Sequence, residues 1–186
     1  MDYSKQSLHD SCAYFKLLAV VCKALMIFTT EVAADILGLE PWRVTKFVQS
    51  KEYGIQPSLA QAKGSGSRRL YSAEDICHIG LALRLLETGL RSKAIGKIIR
   101  QVQAKGKLSR RLLQPDRGGD LYLAIYRTPQ MGRLLNESRS QSVEFTSSPD
   151  EVLPRLSSHA EDDVILVPLA SLISKLRKGL GQAGGE

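Results

Sequence analysis

A serine stands three residues ahead of an aspartate at the head of the best-supported periodic run in the chain: Ser72-Ala-Glu-Asp75, then Ile76, Ile79, Leu83, Leu86 and Leu90. A hydroxyl at the N-cap and a carboxylate at the third helical position each take a backbone N–H of the other, so a helix starts here. The apolar residues then recur at intervals of 3, 4, 3 and 4, which places them on one face, and Gly89 ends the helix. A second amphipathic helix is expected from Ser92 to Lys105, with Ile95, Ile98, Ile99 and Val102 on its apolar face.

Upstream, the spacing predicts two shorter helices. Thr29-Thr30-Glu31 offers a hydroxyl cap and a first-turn carboxylate, Val32, Ala33, Ile36 and Leu37 form an apolar face, and Gly38 stops the helix. Pro41 then suits the first turn of the next helix, where its missing N–H is not needed. Over Pro41 to Ser50, Val44, Phe47 and Val48 fall on one face and leave Arg43, Lys46 and Gln49 on the other. Trp42 reads as a hydrophobic anchor for this helix. Two short helices joined by a glycine turn, the second with cationic and amide side chains outward, form the pattern of a helix-turn-helix.

Between the two helix pairs, residues 54–67 hold Pro57, Gly64 and Gly66 without helical periodicity and read as a loop or β-hairpin projecting from the helices. Its far limb is Arg68-Arg69-Leu70-Tyr71. Charge points the same way. The net charge is +7, but residues 26–113 carry 15 Lys/Arg against 7 Asp/Glu, while residues 114–186 carry 8 against 10. A basic part joined to a mildly acidic one suggests a polyanion-binding domain with a different appendage.

These residues resemble the mercury-resistance-regulator (MerR) type of winged-helix transcription factors, from about Phe28 to Val102. The likeness rests on TTEVAADILGLEP, a hairpin ending in RRLYSAEDI, and LALRLLETGLRSKAIGKII. Arg69, Tyr71, Ser72 and Asp75 fall on the family's Arg-x-Tyr-Ser-x-x-Asp pattern at the exit of the wing. The resemblance implies that Arg68 and Arg69 lie near DNA phosphate, with Tyr71 offering a packing ring and a hydroxyl, while the second helix reads bases. Arg43 suits a guanine edge, and Lys46 and Gln49 reach bases or backbone. Thr29 and Thr45 complete the expected DNA-binding set, Thr45 standing where the family commonly has arginine.

Other chemistry is disfavoured. Cys12, Cys22 and Cys77 are odd in number and lack CxxC spacing or a histidine partner, which argues against a disulfide framework or zinc site and for a reducing, cytoplasmic compartment. Cys77 reads as a small buried hydrophobe and His78 as a solvent-facing helical residue. No metal or other cofactor is expected. Residues 12–28 are apolar, but Lys16 and Lys23 leave only six residues between them, too few to span a membrane. Residues 1–27 read as a helical extension, and Met26 also marks 1–25 as a candidate upstream extension of the reading frame.

Gly106, Pro115 and Gly118-Gly119 break the helical pattern, so a long dimerisation helix of the family's kind is not expected. Strands are predicted at 121–126, 142–146 and 163–167, and helices at 128–136, 148–156 and 169–180. The strand VILVP, apolar throughout, is expected at the centre of the sheet. The fold class is thus a mainly α winged helix-turn-helix domain (28–106), a linker (107–119), a small α/β module (120–180) for dimerisation or effector binding, and a disordered tail (181–186). No phosphate loop, nucleophile elbow or paired-carboxylate pattern is present, and the chain is read as no enzyme. The expectation is a dimeric, nucleoid-associated regulator of transcription. Its partners are double-stranded DNA at a palindromic promoter element, RNA polymerase and an unidentified effector. The alternatives are an excisionase-like architectural DNA-binding protein and a protein-interaction adapter without DNA binding.

Overall fold

The computed structural model describes residues 27–59, 69–106, 108–113, 121–128, 140–152 and 163–182. It is mostly helical, with a small three-stranded antiparallel sheet in the C-terminal half. The expected N-terminal extension up to residue 26, the helix at 128–136 beyond Thr128 and the tip of the projecting loop lie outside the described residues.

Helix α1, Thr30–Leu37, begins where predicted: Thr29 Oγ1 accepts the Val32 N–H at 3.4 Å, and Gly38 closes the helix in the left-handed region at φ 60°. Ala33, Ala34, Ile36 and Leu37 are buried while Val32 is exposed, so the apolar face is rotated one residue from expectation. Helix α2, Pro41–Gln49, packs against α1 with Val44 and Phe47 buried. Helices α3, Ala73–Glu87, and α4, Ser92–Ala104, follow with the predicted starts. Ile95, Ile98, Ile99 and Val102 are all in the core; on α3, Leu85 is buried and Leu86 is exposed.

The stretch expected to be a linker contains α5, Leu108–Leu113, whose Leu108 and Leu112 are fully buried against α3 and the last helix. Its first N–H groups, on Leu108 and Ser109, donate to the Glu74 carboxylate at 2.6 and 2.8 Å. That carboxylate supplies what the short helix lacks within itself.

Strands β1, Tyr122–Thr128, β2, Ser140–Thr146, and β3, Asp163–Pro168, pair antiparallel in the order β2-β1-β3. In register, Ile125 stands opposite Val143 on one side and Ile165 on the other. The expectation that VILVP is central is therefore corrected: β1 is central and β3 is an edge. Leu123, Ala124 and Ile125 are fully buried in succession, so β1 is covered on both faces, whereas Val164, Ile165 and Leu166 are half-buried. An apolar run signals burial without saying which strand has two neighbours. The helix expected at 148–156 is a 3-10 turn, Pro149–Glu151, as far as Val152, and residues beyond that lie outside the described set.

The last helix, α6, Ala170–Gln182, runs two residues into the stretch expected to be a disordered tail, because buried Leu180 anchors its final turn. It packs on α1, α3 and α5. A Cβ on Gly179 would meet Ile36 Cγ2 at 2.8 Å, which shows how close the two helices pass. One apolar cluster runs from Phe28 through α1–α5 and the sheet to Leu180. Among the described residues no helix is long and apolar enough to cross a membrane.

Candidate nucleic-acid interface

The second helix presents the face its sequence predicts. Val44 and Phe47 point into the core, and Phe47 packs on Tyr53 with ring centroids 4.9 Å apart. Arg43, Lys46 and Gln49 are exposed on the opposite side, and Thr45 is half-buried between them. Arg43 and Lys46 line one cleft of about 260 Å³ together with Trp42, Phe47, Tyr53 and Leu86. Trp42 is the correction here. It is 62% exposed and does not anchor the helix. It stands at the rim of the cleft, outside the core that Val44 and Phe47 enter.

The segment expected to project is described as far as Leu59 and again from Arg69, and one carboxylate ties both limbs. Asp75 accepts from the Ser72 N–H at 2.8 Å, closing the predicted capping box with the Asp75 N–H to Ser72 Oγ at 3.2 Å. It also accepts from Ser58, from the backbone N–H at 3.0 Å and from Oγ at 2.7 Å. A second clasp lies alongside: Phe28 and Tyr71 exchange backbone hydrogen bonds of 2.9 Å each way, so the entry to α1 is stitched to the exit of the loop.

Arg69 is half-buried beside this clasp; Arg68 lies outside the described residues. Tyr71 departs from the expectation of direct contact. It is fully buried, and its hydroxyl has no hydrogen-bond partner of ordinary geometry among the described residues. Burial pushes its phenol above the usual value, opposed in part by Thr30 and Arg69. The ring belongs to the core and takes the hydroxyl in with it, while the Tyr71 backbone holds Phe28 at the entry to α1. Thr29 is half-buried, its oxygen engaged in capping α1.

Sequence reasoning passed over a set of cations on α4 and the preceding turn. Lys93, Lys97 and Arg100 are exposed at helical spacing on the face opposite Ile95, Ile98 and Ile99, and Lys51 is exposed two residues before Tyr53. Arg100 lies over Gly54, where a Cβ would stand 3.2 Å from Nη1. Gly96 lets α4 approach this turn, because a Cβ there would collide with the Glu52 carbonyl oxygen, and Ser92 donates to the Glu52 carboxylate. The alternation of cations with buried isoleucines was the available signal. Among the described residues none of Arg43, Lys46, Lys51, Lys93, Lys97 or Arg100 makes an ion pair.

Cys77 and His78 behave differently from one another. Cys77 is fully buried as expected, and burial raises its thiol far above the working range. His78 is corrected: it is 5% exposed, on the α3 face that meets α5, with Nε2 3.5 Å from Glu74 Oε1 and without a hydrogen bond. Burial lowers its pKa, and Glu74 and Asp75 pull it back only in part. Among the described residues no group of His, Cys, Asp and Glu has the arrangement to hold a metal ion.

A scan against protein-family models finds none that matches this chain, and a search of curated proteins finds no match either.

Proposed function

We propose that this protein is a sequence-specific double-stranded DNA-binding regulator of transcription that acts as a dimer at a palindromic promoter element through a winged helix-turn-helix. The observation that carries the reading is α2. It is a short helix held by Val44 and Phe47 that turns Arg43, Lys46 and Gln49 to solvent after a tight glycine turn from α1. Arg43 near the helix start is suited to a guanine edge, and Lys46 and Gln49 to backbone or base. The loop clasped by Asp75 would supply a wing, with Arg68 and Arg69 on phosphate, and Lys97 and Arg100 would extend the basic surface beside its inbound limb.

The test is binding of the full chain to a pool of genomic DNA fragments across a salt series, with an Arg43→Ala/Lys46→Ala variant alongside. A few enriched fragments with inverted symmetry are expected for the parent. The variant should lose that enrichment and show a salt slope shallower by roughly 0.9 for each phosphate contact removed. Absence of salt-dependent binding in the parent overturns the reading. The adapter reading then takes its place, since exposed Trp42 and Leu86 over an apolar cleft are what a protein partner would use.

A further inference from the structure

The two edges of the sheet are treated differently. Strand β2 is polar along Ser140-Gln-Ser142, α4 packs against it, and Lys105 Nζ donates to the Val143 carbonyl, so that edge is blunted. Strand β3 has β1 on one side and no strand on the other among the described residues. Its middle is Val164-Ile165-Leu166, half-buried, without a charge and without a break in register. Edge strands are normally protected by lysine, a bulge or a covering element, because unpaired N–H and C=O groups invite another strand.

Which groups point outward follows from one bond. The Leu169 N–H donates to the Leu121 carbonyl at 2.8 Å, and in an antiparallel ladder the pairing positions alternate, so residues 167, 165 and 163 also turn their backbone groups to β1. Val164 and Leu166 therefore turn both N–H and C=O away. Pro168 falls in the same outward set, where its missing N–H removes no ladder bond, and its carbonyl accepts from Arg84 Nε at 3.2 Å. The edge that remains, unpaired among the described residues, is self-complementary about Ile165. With a second copy antiparallel, Val164 faces the other copy's Leu166 and exchanges two hydrogen bonds, and the symmetric pair exchanges two more.

We propose that β3 pairs with β3 of a second copy of this chain across a two-fold axis at Ile165, joining two three-stranded sheets into one of six strands. The contact is isologous, as a two-fold dimer requires. A strand edge of this length covers less than the roughly 800 Å² per partner of a standard interface. Association between free chains is accordingly weak, and covalent trapping reads it better than elution volume.

Two residues facing each other at Ile165 occupy a non-hydrogen-bonded position, with Cα atoms about 4.5 Å apart, within reach of a disulfide. The experiment is Ile165→Cys in the full chain with Cys12→Ser and Cys22→Ser, under mild oxidation and without DNA. Ser142→Cys on the opposite edge is the control. Ile165→Cys should form a covalent dimer about tenfold faster than Ser142→Cys, through the proximity that pairing supplies. Adding Leu166→Pro, which blocks an outward N–H and leaves the bonds to β1 intact, should abolish it with little change in melting temperature. Equal rates for the two cysteines, or trapping that survives Leu166→Pro in a folded chain, overturns the proposal. Since no DNA is present, that result leaves the DNA-binding reading to its own test.

Discussion

Asp75 holds together more of the chain than its single charge suggests. Its carboxylate, on a residue 4% exposed, takes the Ser72 N–H, the Ser58 N–H and the Ser58 hydroxyl, so Asp75→Ala removes the acceptor of two backbone donors, one on half-buried Ser72 and one on exposed Ser58. Charge-assisted bonds of this kind make the loss about 3 kcal/mol, read as a lower midpoint in denaturant. If the loop is a wing, DNA affinity falls with it under conditions where the variant is still folded. A drop in stability alone would mean that the clasp serves only the fold. His78 makes a pH prediction. Burial lowers its folded-state pKa, so below the unfolded value of about 6.5 the unfolded chain binds a proton that the folded chain refuses. Stability is therefore retained above that pH and falls as the pH drops below about 6.5. In His78→Leu this limb should flatten when unfolding free energy is measured against pH. An unchanged slope would assign the proton to His9 or His159, the chain's other histidines.

Helices α1–α4 were legible in the sequence because each carries its own punctuation: Thr29 and Gly38, Pro41, the Ser72–Asp75 box, and Gly89. Side-chain placement was less legible wherever a neighbouring element decides it. His78 is polar in sequence but meets α5, which the glycine and proline breaks concealed, and Trp42 is apolar but stands beyond the reach of the core. The strands were found by composition within two residues, yet their order was not, since the order depends on which edges other elements cover. On the cationic side, Arg43, Lys46 and Gln49 were readable from the period alone, whereas the Ser58 contact to Asp75 spans 17 residues and leaves no local trace. Gly96 is a further case. No turn requires it, but α4 sits so close to the Glu52 carbonyl that any Cβ must move backbone. Gly96→Ala should cost about 3 kcal/mol despite the better helix propensity of alanine, and the sign of that change in a denaturation curve separates close packing from propensity.

At the scale of the whole molecule, the chain's last helix completes the back of its first. Leu172, Leu176 and Leu180 of α6 are buried, Gly179 lies against Ile36, and Leu172 Cδ1 would stand 2.8 Å from a Cβ on Gly80. Lys175 Nζ donates to the Leu37 carbonyl at 3.1 Å, where α1 ends and its carbonyls lack helical partners. Helix α1, on which the helix carrying Arg43 and Lys46 packs, thus depends on residues more than a hundred positions away. Burying three leucines contributes on the order of 5 kcal/mol, comparable with the whole stability of a small domain. A fragment of residues 27–106 should therefore melt well below the full chain or fail to show a cooperative transition, and Leu176→Ala in the full chain should cost about 3 kcal/mol. Calorimetry of fragment and full chain tests this directly. If the fragment melts like the full chain, α6 is a peripheral appendage. If it does not, a change at α6 or at the sheet edge beside it has a physical route to α1, and through α1 to the exposed face of α2 that packs on it.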